Sequence, residues 1–162
     1  MPAPLQLVQS NQKLPSQADV VVIGGGIIGV CTAFFLARSG LSVALVEKGR
    51  IGAEQSSRNW GWCRQMNRDI RELQLASRSL ELWDEIQTET SENLGFSRCG
   101  LLYLSNNESE LEEWATWCSW AKGEGIQTEV LTSEKATQLA KASAKSWKGG
   151  IFSPTDGTAD PS

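Results

Sequence analysis

Between Val20 and Glu47 the chain reads strand, glycine turn, helix, strand, acid, and no other stretch limits the possible folds as tightly. Val20-Val21-Val22-Ile23 is a short β-branched run of the kind buried on both faces of a parallel sheet. After Gly24-Gly25-Gly26, the apolar stretch from Val30 to Leu36 predicts a helix ending near Arg38-Ser39-Gly40, with Gly40 at a left-handed C-cap. Val43-Ala44-Leu45-Val46 is the second strand and runs into Glu47. Such an order predicts a right-handed βαβ unit. Val20 to Ala37 carries no charge, a length that a hydropathy window would flag as a membrane span. The β-branched run and the glycines inside it argue for a water-soluble unit and against a transmembrane segment.

Within this unit Gly24, Gly26 and Gly29 form G-x-G-x-x-G. The pattern is weak alone, but here it leaves a strand, opens a helix and precedes an acid about twenty residues on, which is the context of a dinucleotide fingerprint. Gly24 permits the tight turn, Gly26 lets the backbone approach a pyrophosphate, and Gly29 lets the helix pack close to the sheet. The helix N-terminus offers N–H groups and the positive end of its dipole to phosphates, so no lysine or arginine is required. Glu47 suits the two hydroxyls of an adenosine ribose and would repel a 2′-phosphate, which disfavours NADP. The plainer alternative is a glycine turn that only connects two core strands.

Composition narrows the chemistry. The 162 residues include 15 basic and 19 acidic side chains and no histidine, for a net charge of −4. A single domain-sized core is expected from the length. A mildly acidic chain without a basic block argues against a nucleic-acid partner. The lack of histidine excludes Ser-His-Asp and Cys-His catalysis within the chain and leaves only cysteine and carboxylate metal ligands, so no metal is expected and a cofactor would have to supply any chemistry. Cys31, Cys63, Cys99 and Cys118 are scattered without a zinc or redox spacing, and are read as reduced, mostly buried thiols. Residues 1–18 hold one cation, Lys13, and too little apolar sequence for a signal peptide; they are read as a mobile lead-in, and a cytoplasmic location is expected.

NAD and FAD share the fingerprint, and the sequence after Glu47 bears on the choice. An NAD domain would continue with alternating helix and strand. Instead Lys48 to Asp69 is a long polar stretch with Gly49, Gly52, Ser56, Ser57, Arg58, Asn59, Trp60, Gly61, Trp62 and Arg64. Loops of this length in a compact domain often bind something. The alternative is a surface loop with its tryptophans tucked into the core.

Gly24-Gly25-Gly26-Ile27-Ile28-Gly29, Glu47-Lys48-Gly49, Ser56-Ser57-Arg58-Asn59-Trp60-Gly61 and Ser153-Pro154-Thr155-Asp156-Gly157-Thr158-Ala159-Asp160-Pro161 together resemble the FAD-dependent D-amino-acid oxidase superfamily, in its glycine oxidase or DadA-like group. The resemblance runs from about Ala18 to the end. It implies an α/β fold: a Rossmann-like FAD-binding βαβ unit with the start of an α+β substrate domain. On that basis residues 19–98 would open the FAD-binding domain, 99–148 would begin the substrate domain and 149–162 would return to the first. The same resemblance implies that the backbones of Ile27 and Ile28 meet the pyrophosphate, Glu47 the ribose and Lys48 the adenosine side. Gln55, Ser56 and Ser57 would line the pyrophosphate, and Trp60, Gly61 and Trp62 would approach the flavin. Arg58 and Arg64 are candidates for the flavin or substrate side, or are solvated charges. No catalytic residue is assigned. The implied reaction is oxidation of the C–N bond of a small-molecule amine or amino acid, with hydride passing to flavin N5 and either oxygen or a respiratory carrier as acceptor. The family's substrate-binding arginine and tyrosine lie downstream of Ser162, so the chain is expected to be an N-terminal fragment, inactive alone. An NAD-dependent dehydrogenase and a non-catalytic nucleotide-binding module are the alternatives.

The remainder reads as scaffold. Leu73, Ala76, Leu80 and Trp83 recur at helical spacing within Ile70 to Thr90. Cys99 to Ser105 has strand composition with a bend at Gly100, and Glu108 to Lys122 predicts a helix capped by Asn106 or Asn107 and ended by Gly123 and Gly125. Leu111, Trp114, Cys118 and Ala121 share one side of it, while Trp117 and Trp120 widen the apolar surface as if for a missing neighbour or a partner. A strand over Ile126 to Leu131, a short helix from Thr132 or Ser133 and a strand around Gly150 to Ser153 complete the expectation.

Overall fold

A computed structural model describes residues 7–11, 13–141 and 145–161. Part of the expected lead-in, residues 1–6 and 12, lies outside the described residues; residues 7–11 and 13–18 carry no helix or strand. The chain divides into two compact units, one running to Trp60 and one of Gly61–Asp160.

In the first unit the β-branched run forms β1 (Val20–Ile23), which pairs in parallel with β2 (Val43–Val46), Val20 opposite Val43 and Ile23 opposite Val46. Between them lies α1 (Ile27–Arg38). It ends as the sequence requires: Gly40 takes φ +89°, its N–H reaches the Ala37 carbonyl, and the Leu41 N–H reaches Leu36. That pair of bonds is a Schellman motif, which satisfies carbonyls that a helix end leaves orphaned. Burial on both faces of β1 is not what the fold delivers. Val22 faces α1, its Cγ1 lying 3.5 Å from the place a Cβ on Gly29 would occupy. Val21 and Ile23, on the other face, are 58% and 86% exposed. The β-branched run therefore encodes a strand for two-sided burial but is covered from one side in this unit.

The second unit is built on an antiparallel sheet of β4 (Leu101–Ser105), β6 (Gly149–Ser153) and β5 (Glu129–Leu131), with β6 central. Gly150 sits where β6 crosses β4, and a Cβ there would meet the Tyr103 carbonyl oxygen at 2.2 Å. Two helices, α3 (Glu108–Gly123) and α4 (Ser133–Leu139), pack on β6. Asn107 caps α3 by accepting the Ser109 N–H, and Thr132 caps α4. A single turn at Ile70–Glu72 leads into α2 (Leu73–Thr90), which buries Leu73 and Leu80 and stacks Trp83 on Phe96. Two-residue strands β3 (Trp62–Cys63) and β7 (Gly157–Thr158) pair antiparallel, and Ser97 bridges to Thr158.

The core holds Met66, Cys118 and Ile151 in one cluster and Leu73, Ala121 and Ile126 in another. Trp117 packs against both, donating its Nε1–H to the Arg68 carbonyl at 2.9 Å, and Trp120 packs against the second. Both rings thus pack within the unit, Trp117 bridging α3 to the segment before α2, while each keeps part of its surface open. The strand expected from Ile126 shrinks to Glu129–Leu131, because Gly125 at φ +80° turns Ile126 into the core instead of into the sheet. Among the thiols only Cys118 is buried; Cys31 and Cys63 are half-buried and Cys99 is exposed, so mostly buried was too strong. All four are free, and burial pushes the thiols of Cys31, Cys63 and Cys118 up. No helix of the described residues is long and apolar enough to cross a membrane.

Candidate functional site

The turn after β1 is shaped by what its glycines exclude. Gly24 has φ +108°, a region that a residue with a Cβ enters only with strain. A Cβ on Gly29 would lie 1.9 Å from the Gly24 carbonyl oxygen, so α1 starts in direct contact with the turn it leaves. At Gly26, the N-cap, a Cβ would meet the Ser56 hydroxyl at 3.0 Å.

Gly25, to which the sequence pattern gives no role, is the hub of this turn. Its N–H donates to the Glu47 carboxylate at 2.7 Å and its carbonyl accepts from Gly52 at 2.9 Å. The second Glu47 oxygen accepts the Gly49 N–H at 2.8 Å. A Cβ on Gly25 would also strike Ile51 at 2.4 Å, a constraint that appears only once Ile51 and Glu47 are folded against the turn. Hydrogen bonds from Gly25 first and Gly49 next hold the Glu47 carboxyl below its ordinary range, so it is ionised at neutral pH. Each of its oxygens has a further lone pair free for a ligand hydroxyl.

At the start of α1 the Ile27 N–H donates to the Ser56 hydroxyl at 2.8 Å. Ser56 belongs to a single helical turn, Gln55–Ser57, steadied by Asn59 donating to the Ser56 carbonyl at 2.7 Å. The first turn of α1 carries no acid, so its dipole is left to attract an anion. Gly24, Gly26, Ile27, Gly29, Glu47 and Ser56 are therefore brought together, with Ile28 on the exposed side of the same turn. Lys48, Gln55 and Arg58 lie nearby in sequence but point to solvent, Arg58 pairing with Glu54 at 3.3 Å. Trp60 is 81% exposed rather than tucked into a core.

Gly61, Trp62 and Arg64 belong to the second unit. Gly61 is buried at φ +69°, and its carbonyl accepts the Ala159 N–H at 2.8 Å. Trp62 tilts against Tyr103, ring centroids 6.2 Å apart, and the Arg64 guanidinium lies 5.9 Å from the centre of that ring. A hollow of about 430 Å³ is bordered by Trp62, Arg64, Arg68, Leu80 and Trp83. Among the described residues no group of three or more histidine, cysteine or carboxylate side chains could hold a metal ion.

A parallel βαβ unit with glycines at the strand exit, an acid-free helix start and an ionised glutamate at the end of the second strand defines a nucleotide-binding protein of the Rossmann kind. Residues 19–162 match the family model for FAD dependent oxidoreductase, and the chain belongs to that family. FAD is accordingly its cofactor, and the turn at Gly24–Gly29 fits it. The chain is 31% identical over 93% of its length to sarcosine dehydrogenase of human mitochondria, and spans 17% of that protein. It is 29% identical over 78% of its length to the mitochondrial pyruvate dehydrogenase phosphatase regulatory subunit of mouse, spanning 14% of it. Among solved structures, L-amino acid deaminase from Proteus vulgaris superposes with a TM-score of 0.89 at 30% identity, covering 96% of this chain and 38% of the other.

Proposed function

We propose that the protein oxidises the C–N bond of a small-molecule amine or amino acid. The observation that carries this reading is the family match over residues 19–162, on a turn whose donors and acid suit FAD. The similarity to sarcosine dehydrogenase and to L-amino acid deaminase supports the substrate class. FAD held at this turn would supply the oxidising power, as the acceptor of the substrate hydride.

The chain's own residues bind and orient. Gly24, Gly26 and Gly29 keep the turn open for close approach of a pyrophosphate, and the backbones of Ile27 and Ile28 donate to it. Ser56 has to yield the Ile27 N–H to a phosphate oxygen, after which its hydroxyl, with Gln55 and Ser57, lines the same group. Glu47 takes the ribose hydroxyls, and Lys48 borders the adenosine. Trp60, Gly61 and Trp62 are assigned to the flavin ring, and Arg58 and Arg64 to the flavin or substrate side, on resemblance alone.

A second reading, a nucleotide-binding module without catalysis, is favoured by the likeness to a protein named as a regulatory subunit. Anaerobic mixing of the flavin-loaded protein with sarcosine and a panel of amino acids separates the two. Bleaching of the visible flavin band by at least one amine or amino acid is expected; a band that stays oxidised with all of them would leave the module reading.

A further inference from the structure

Asp156 stands apart from every other charged residue described, because it alone is fully buried. A carboxylate removed from water is costly unless donors surround it. Here the Gln65 N–H reaches one oxygen at 3.1 Å and the Met66 N–H reaches the other at 2.9 Å, with the Ser153 side chain beside the carboxylate. The neighbouring side chain repeats the link: Gln65 Nε2 donates to Thr155 Oγ1 at 2.9 Å, while Ser77 donates to Gln65 Oε1 at 2.7 Å. From the far side Arg98 donates to the Thr155 carbonyl at 2.6 Å and is itself held by Asp84. The turn between β6 and β7 is thus braced on one side and gripping residues 65–66 on the other.

What the grip controls lies just before it. Strand β3 is two residues long and pairs only with the two residues of β7, too short a ladder to fix a strand by itself. The Trp62 and Arg64 side chains nevertheless take defined places against Tyr103. Beyond Arg64 the backbone is tied at two consecutive amides to one buried carboxylate, and before Trp62 it is tied by the Ala159 N–H to the Gly61 carbonyl. We infer that Asp156 is a positioning residue: through the amides of Gln65 and Met66 it sets the orientation of Trp62 and Arg64. The inference rests on the reading that assigns those two side chains to the flavin and substrate side.

Burial pushes the Asp156 carboxyl up, against the amide bonds that hold it down, so its proton can be followed. The charged and titratable groups facing it are Arg64 and Cys63. Arg98 and its partner Asp84 brace the adjoining carbonyl. A pH titration by NMR, reading the Asp156 carboxyl carbon, the Gln65 and Met66 amides, the Trp62 indole and Arg64 Nε, is the direct test and needs no flavin. All are expected to move in one transition; Trp62 and Arg64 signals that ignore it would overturn the positioning role. Asp156→Asn, which turns an amide donor toward a backbone donor, gives the second arm on FAD-loaded protein. FAD affinity is expected within about threefold of the parent, because the phosphate and ribose contacts lie at the Gly24–Glu47 turn, while the bound-flavin spectrum shifts. A folded Asp156→Asn protein with the parent spectrum would contradict the inference. If the parent binds no FAD the functional reading fails, and the flavin-free titration still decides the role of Asp156.

Discussion

Gly29 and Glu47 carry the most specific expectations at the scale of single residues. A Cβ on Gly29 would overlap the Gly24 carbonyl oxygen at 1.9 Å, and the obstacle is backbone, which cannot swing aside as a side chain can. Gly29→Ala should cost about 1–3 kcal/mol in urea denaturation, the usual penalty of overpacking; a variant as stable as the parent would mean the turn and α1 are less closely apposed. For Glu47 the carboxyl is held low by Gly25 and then Gly49, so the sign follows directly. Its contribution to the turn is complete above the unfolded carboxylate value of about 4.3 and is lost as pH falls through the lower folded value. The Gly25 and Gly49 amide shifts should therefore be flat from neutral pH downward and move only in that acid range. The turn that Gly24, Gly26 and Gly29 form and the place of Glu47 at the end of the second strand were legible because the glycines leave a β-branched run, open an apolar helix and precede a second such run. Gly25 and Asp156 were not: the roles of both depend on partners, Glu47 and residues 65–66, that only the folded chain brings near.

Elements with a strong period were read from the sequence close to their ends. The α2 and α3 stripes bury Leu73, Leu80, Cys118 and Ala121 as their spacing demands, and Asn107 caps where a cap was needed. Strands β3 and β7 escaped, since two residues cannot show an alternation and their pairing joins segments some ninety residues apart. The central strand β6 gives an element-scale test. Ile151 is fully buried between Met66 and Cys118, and Ile151→Ala should destabilise the protein by about 2–5 kcal/mol, read as a fall in denaturation midpoint at unchanged slope. A change below about 1 kcal/mol would show that this cluster can collapse around the gap.

For the molecule as a whole, the chain belongs to a family of FAD-dependent oxidoreductases, and on the proposed reading the residues described grip and orient that cofactor. The grip proposed for FAD uses no lysine or arginine in the first turn of α1, only backbone donors, one serine and one glutamate. That claim is tested most directly by titrating FAD into the protein and its Glu47→Ala variant, with flavin fluorescence as the readout. The parent should bind FAD, and the variant should bind about 10-fold to 100-fold more weakly, as loss of hydrogen bonds to a charged group implies. Binding of equal strength in both, or none in either, would contradict the account.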